Sequence, residues 1–260
     1  MAIHFVNLSR EAFLKEYKRV YRFTTLDRFI EVLKTKKFAF VNPIKWADPF
    51  EKFFLDRDFL INNLKFKLPI KDKVFAVCVS GTISSEAYWK VYAPKEDGIR
   101  LTFDTEKLLT NFLDKISDAD VYIGKVSYQI TREFHKISFD KKGLIDEIRT
   151  SKIGDQQIKL LLKKRKSFLY ENEVRIMIIP HKKNKETTVF HSDTDITTYT
   201  NDYTLDPRLG RNHVKVLREY FQEKFDFKVS HSRLYSELNR DPINLTDSGN
   251  KTTKQKKGSH

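Results

Sequence analysis

The chain has 260 residues, a formal net charge of +14, 21 Phe, 11 Tyr and a single cysteine. That length suits one large domain, and a 40% hydrophobic share excludes a disordered chain. One cysteine excludes an internal disulfide and a zinc site built from cysteines.

No apolar run approaches membrane-spanning length, and Met1 to Phe5 lack the pattern of a secretory leader. A soluble, cytoplasmic protein without membrane contact is therefore expected. The positive charge admits two readings. One is an anionic partner: nucleic acid, a nucleotide or an acidic protein. The other is a lysine-rich, solvated surface. Residues 246–260 hold four Lys against one Asp, so this stretch carries +3 of the +14 and reads as a disordered basic tail.

Ser9 is placed to cap a helix from Arg10 to about Lys18. Val20 to Phe23 reads as a short strand. Thr24 or Thr25 then caps a second helix, with Leu26, Phe29, Ile30 and Leu33 at amphipathic spacing. Phe38 to Val41 is a strand ending at Asn42-Pro43, followed by a confined loop, Ile44 to Glu51. Phe53 to Lys67 reads as a helical excursion. Val74 to Ser80 is a buried strand, and its Cys78 reads as a core thiol. Ser84 or Ser85 caps a helix through Tyr92, and Ile99 to Phe103 is a strand. Asp104 or Thr105 caps the next helix, with Leu108, Leu109, Phe112 and Leu113 on one face. Val121 to Ile130 reads as a strand pair, and Phe134 to Phe168 as mostly helical with a break near Gly154.

Phe168 to Ile179 alternates as a half-buried strand. Val174, Ile176 and Ile178 point one way, and Glu171, Glu173 and Arg175 the other. These charges describe either a solvated face or a carboxylate pair at the floor of a cleft. Thr187 to His191 is expected as the hairpin partner of this strand. Val214 to Phe225 is a helix, and Phe227 to Ser230 a closing strand. The whole predicts a single α+β domain over residues 1–245, with a largely antiparallel sheet and surrounding helices.

No Gly-x-Ser-x-Gly elbow, Walker A loop, Gly-x-Gly-x-x-Gly or His-Glu-x-x-His is present, and no metal is expected on histidines. Asp48, Glu51, Glu171 and Glu173 leave a metal-dependent nuclease as one alternative. Asp48 beside Pro49 also reads as a turn residue. Trp89 and Tyr92 share a helix face, as core or as stacking surface. Arg22 in an otherwise apolar strand needs an anionic partner if it faces inward.

Four blocks fall in a recognisable order: Tyr21-Arg22-Phe23; Phe40-Val41-Asn42-Pro43 with Asp48-Pro49-Phe50-Glu51; Trp89 to Ala93 with Gly98-Ile99; and Tyr170 to Ile176. In these the chain resembles a bacterial family known as domain of unknown function 2971, over about residues 20–235. It departs from the family pattern at Ala47, where Asn is frequent, and at Phe168-Leu169, where Trp is. A weaker likeness is to mono-ADP-ribosyltransferases of the arginine-serine-glutamate type. These carry an Arg on the first core strand, a Ser on the second and Glu-x-Glu on a later one.

That likeness implies an ADP-ribosyltransferase-like fold and an NAD-using effector, of phage defence or of a toxin system, acting on nucleic acid or protein. It also implies roles. Glu173 would be catalytic with Glu171 assisting. Arg22, Ser80, Tyr92 and Trp89 would bind NAD. Asn42, Asp48 and Arg175 would support the site. The Ser-rich strand of that type is reduced here to Ser80-Gly81-Thr82. A non-enzymatic nucleic-acid-binding module stands beside it as a further alternative.

Overall fold

The computed structural model describes residues 3–236, apart from 84, 114–115, 131, 133–139, 183–187 and 194. The expected tail at 246–260 lies outside the described residues, as do Ser84, Thr187 and the stretch just after Arg132.

The strands are β1 (Ile3–Phe5), β2 (Arg19–Thr25), β3 (Phe38–Val41), β4 (Phe59–Ile61), β5 (Leu64–Phe66), β6 (Phe75–Ser80), β7 (Gly98–Asp104), β8 (Ala119–Lys125), β9 (Ser127–Gln129), β10 (Lys163–Arg165), β11 (Glu173–Pro180), β12 (Val189–Ser192), β13 (Thr200–Leu205) and β14 (Ser230–His231). The helices are α1 (Arg10–Glu16), α2 (Leu26–Thr35), α3 (Phe53–Asp56), α4 (Glu86–Tyr92), α5 (Thr105–Lys107), α6 (Lys141–Arg149), α7 (Asp155–Leu160) and α8 (Arg211–Phe225). The fold is α+β, as expected. Its main sheet runs β1-β8-β11-β6-β2-β7-β13-β14, with β3 joining β6 and β12 joining β3. Most pairs are antiparallel, while β1 with β8 and β13 with β14 are parallel.

The apolar alternation decides which face packs where. On one face Val77 and Val79 of β6, Val174, Ile176 and Ile178 of β11, and Leu101 and Phe103 of β7 meet Phe13, Phe29, Leu33, Phe112 and Phe221 from the helices. The other face is different. Ala76, Met177 and Ile179 at one end pack under α3, α6 and α7, and Tyr21 and Phe23 at the other end pack under α4. Between these two apolar patches the strands present Cys78, Ser80, Glu173 and Arg175, and the site lies there.

β6 is fully paired on one side only. Along β11 its register runs from Glu173↔Ser80 to Ile178↔Phe75. On its other edge it meets β2 at Tyr21↔Ser80 and β3 at Val41↔Ala76. The sheet is split between those two points. Arg22 enters the opening, where its Nη1 donates to the Cys78 carbonyl at 3.3 Å. A backbone acceptor that the ladder leaves open is thus met by a side chain.

Several expected elements differ. Helix α3 is one turn long, and the chain from Phe59 to Phe66 is the β4–β5 hairpin. Asn62 and Asn63 carry positive φ angles of 50° and 64° at its turn, the hairpin signature of such a pair. The partner of β12 is β3, not β11. Residues Lys166–Glu171 form a 3₁₀ turn, and Asn172 takes the left-handed conformation, φ 40°, before β11 begins. Glu171 is therefore not on the strand that carries Glu173.

Tyr17, the C-cap of α1, ties this junction down, its hydroxyl donating to Asn172 Oδ1 at 3.1 Å. Gly81 sits against both, and a Cβ there would overlap the Tyr17 ring and the Asn172 amide. Gly81→Ala should lower stability by about 1–3 kcal/mol in urea unfolding, the usual cost of overpacking. An unchanged midpoint would show that Tyr17 and Asn172 move freely aside.

Candidate active site

The split opens into a cleft of about 750 Å³, lined among others by Arg22, Arg28, Trp46, Asp48, Glu51, Cys78, Ser80, Tyr92, Lys164, Glu171 and Glu173. Strands from three parts of the sequence supply it: β2 carries Arg22, β6 carries Cys78 and Ser80, and β11 carries Glu173. The loop after β3 closes one side. Asn42, 1% exposed, accepts from the Ile44 N–H at 2.9 Å and donates to the Lys71 carbonyl at 3.0 Å, so it fixes the loop and touches no cleft space. Asp48 accepts from the Phe50 N–H at 2.9 Å, the turn role anticipated for it, and pairs with Arg165 at 3.1 Å.

The floor is an ion network. Lys164 Nζ lies 2.7 Å from Glu171 Oε2, 2.8 Å from Glu173 Oε2 and 3.2 Å from Glu51 Oε1. Arg175 Nε donates to Glu173 Oε1 at 2.7 Å, its Nη2 meets Glu51, and its Cζ lies over the Trp46 ring, 4.3 Å from the centroid. Arg175, Glu173 and Glu171 are 0%, 2% and 3% exposed and Lys164 5%, so these charges are held in low dielectric and depend on one another. Three carboxylates face two cations.

Burial pushes both acids of the pair upward, and the neighbouring cations separate them. For Glu173 it pushes the pKa up, but Arg175 and Lys164 outweigh it and hold the carboxyl well below its ordinary range. For Glu171 burial prevails over the pull of Lys164, and the pKa rises to about 7. Glu173 is therefore a fixed negative charge, and Glu171 exchanges its proton near neutral pH. Cys78 is not simply a core thiol. It is only partly buried on the cleft floor, and burial followed by the Glu173 charge raises its pKa, which keeps it a neutral thiol.

Ser80, buried, donates to the Glu171 carbonyl at 2.8 Å and accepts from the Thr82 N–H at 2.8 Å, and the Tyr88 hydroxyl bonds to both Ser80 Oγ, at 2.7 Å, and the Glu171 carbonyl. Its contacts orient the backbone of Glu171. Phe23, Tyr88 and Tyr92 form a run of stacked rings, with centroids 4.6 Å and 5.7 Å apart, that ends in the cleft at the 37% exposed Tyr92. Trp89, in contrast, is core. It is 1% exposed, packs edge-on to Phe23 at 4.9 Å and does not line the cleft.

The cleft thus brings together Arg22, Ser80, Tyr92, Asp48, Glu171 and Glu173, with Arg175 in the network beneath and Trp89 and Asn42 outside. Sequence reasoning missed Lys164, which sits in the run Lys163-Lys164-Arg165-Lys166 and reads there as a solvated basic end. On β10 it is buried between the half-buried Lys163 and Arg165, and period-two reading of that run was the signal available.

With the geometry defined, comparison with known proteins adds one finding. Residues 88–176 match the family model described as protein of unknown function (DUF2971). This is the family that the four sequence blocks resemble, and the matched span covers the last two blocks, with most of α4, all of β7, β8 and β10, and both acids of the pair. No curated protein and no solved structure matches the chain. Among the described residues no helix is long and apolar enough to cross a membrane.

Lys164→Met removes one of two cations from a buried group of five charges. A loss of about 3–5 kcal/mol is expected in denaturant unfolding at pH 7, the cost of leaving buried charge uncompensated. The raised pKa of Glu171 has its own signature. Its contribution to stability is complete below the ordinary value of 4.5 and is lost as pH rises through about 7. Glu171→Gln should flatten that part of the stability–pH curve, and an unaltered curve would place the titration elsewhere.

Proposed function

We propose that the chain is an ADP-ribosyltransferase that consumes NAD in the split between β2, β3 and β6. The observation carrying this reading is Arg22. Its guanidinium lines the cleft, and its described partners are the Cys78 carbonyl and the face of the Phe38 ring at 5.3 Å, with no carboxylate among them. Burial pulls its pKa down, and an anion in the cleft reverses that direction. A pyrophosphate is such an anion, and the forked guanidinium suits it.

The rest of the cleft supports the same ligand. A volume of about 750 Å³ falls within the usual range for small-molecule sites. The open end of the Phe23–Tyr88–Tyr92 stack offers a face to a planar ring such as nicotinamide. The Arg, Ser and Glu strands of the transferase likeness are neighbours here, in the order β2-β6-β11.

NAD supplies a glycosyl bond that breaks with its electron pair leaving on neutral nicotinamide. Glu173, ionised and held by Arg175, offers a preorganised negative charge to the positive charge that develops at the ribosyl carbon. Glu171, titrating near 7, accepts the proton of the incoming nucleophile. Ser80 and Tyr88 hold the Glu171 backbone in place, and Arg22 anchors the substrate from β2. A divalent-metal nuclease is less well supported, because the Lys164 ammonium already occupies the point on which Glu51, Glu171 and Glu173 converge.

Calorimetry should detect NAD binding, weakened roughly 10- to 100-fold in Arg22→Ala, the range for a hydrogen bond to a charged group. Nicotinamide release, followed by chromatography, should fall about 100-fold or more in Glu173→Gln. Its rate should rise with pH through about 7, and Glu171→Gln should remove that limb. Absence of NAD binding, or turnover undiminished in Glu173→Gln, sinks the proposal.

A further inference from the structure

We infer that Arg28 is a second phosphate-binding residue beside Arg22, and that the two guanidiniums together select a diphosphate over a monophosphate. That this diphosphate is the one in NAD rests on the transferase reading above.

The cations that line the cleft are Arg22, Arg28, Lys45, Lys164 and Arg165. Lys164 and Arg165 are paired with carboxylates, whereas Arg22, Arg28 and Lys45 form no ion pair among the described residues. The fold brings the two free arginines to one side of β2. Tyr21 and Phe23 pack under α4, while Val20 joins Phe29 and Leu33 of α2 in the core on the opposite face. Strand alternation puts Arg22 and Thr24 on the Val20 side, which is the side α2 covers. Helix α2 starts at Leu26, directly after β2 ends at Thr25, so Arg28 stands in its first turn and lines the cleft with Arg22 and Thr24. Lys45 arrives separately, from the 3₁₀ turn Pro43–Lys45.

The acid beside Arg28 in the chain forms no ion pair with it. Asp27 turns to the backbone instead, where its Oδ1 accepts from the Arg28 N–H at 2.7 Å and from the Thr25 hydroxyl. Burial lowers the pKa of Arg22, and the Arg28 charge lowers it further, so each guanidinium raises the cost of charge on the other. An anion that reaches both turns this repulsion into a shared attraction. A single phosphate group fills one fork and leaves the other guanidinium as it was. Two linked phosphates offer one group to each fork.

In NAD the pyrophosphate keeps its charge while the glycosyl bond breaks. The Arg28 contact is therefore the same before the reaction and in its transition state, and it contributes to binding, not to the chemical step.

The test uses the full chain and calorimetry with ADP and AMP as probes. ADP should bind about 10- to 150-fold more tightly than AMP, the range for an added hydrogen bond to a charged group. Arg28→Ala should bring that ratio to about 1, with little change in the unfolding midpoint because the residue is exposed. Arg28→Lys should keep part of the selection, since an ammonium supplies charge without the fork. Lys34→Ala, which removes an exposed cation of α2 outside the cleft lining, should leave both affinities unaltered. With NAD, Arg28→Ala should raise the KM of nicotinamide release by a similar factor and leave kcat as it was.

ADP bound no more tightly than AMP overturns the inference. So does an equal loss of ADP and AMP affinity in Arg28→Ala, which makes Arg28 a general source of positive field, or a loss in Lys34→Ala as large as that in Arg28→Ala. Selection for ADP that Arg28→Ala removes, in a chain that releases no nicotinamide from NAD, overturns the transferase reading and leaves the two-guanidinium site standing.

Discussion

The contact on which the site depends is the Lys164 ammonium between Glu51, Glu171 and Glu173. Each acid arrives from a different part of the chain: the loop after β3, the turn after β10, and the start of β11. Without a common cation these carboxylates would repel in a medium that strengthens repulsion. With it, the loop, the turn and the strand are held to one another. Arg175 completes the set from below, clamped by Trp46 and bonded to Glu173 and Glu51. Two cations for three acids is an incomplete neutralisation, and the shortfall falls on Glu171, whose pKa rises while that of Glu173 falls. The same contacts that assemble the floor therefore divide the acids into one that stays charged and one that changes charge.

This floor is exposed because the sheet does not close. β6 could have paired along its whole free edge with β2. It pairs at Ser80 and again, with β3, at Ala76, and Arg22 meets the carbonyl left between. The apolar cores on this face stop on either side of the split, under α4 and under α3, α6 and α7. Stability is supplied by the opposite face, where the alternation is unbroken from β8 to β7. A cleft can be kept open on one face because the other is packed throughout.

Much of that arrangement is legible in the sequence. The buried strand β6, the alternation of β11 from Glu173 onward, the spacing of α2 and α8, and the anomaly of a guanidinium between Tyr21 and Phe23 are local patterns, and each is found in the fold. What was not legible depends on chain reversals and on partners far apart. Glu171 leaves the strand because Asn172 turns left-handed, and nothing in an alternating run announces that change. Proximity in sequence assigns Thr187–His191 to β11, but β3 offers the open edge. The aromatic content of Phe53 to Lys67 suggests a helix, but the Asn62-Asn63 turn makes a hairpin of it. Cys78 lies in a run apolar on both faces, so periodicity could not show that its face opens to a cleft.

Arg22 and Lys164 show the limits of reading charge by itself. Both are basic residues with little access to water, and the same physics asks of each where its counter-charge lies. For Lys164 the fold answers with three carboxylates. For Arg22 it answers with a carbonyl and a ring, which satisfy one donor and leave the charge uncompensated. A chain that brings three acids to one lysine has the means to supply an acid to an arginine a few strands away. Among the described residues it supplies none to Arg22, while it gathers three carboxylates on Lys164, so the lining of one cleft carries both signs. A ligand that matches it carries an anion for Arg22 and develops positive charge beside Glu173, and this double demand is what the proposed substrate meets.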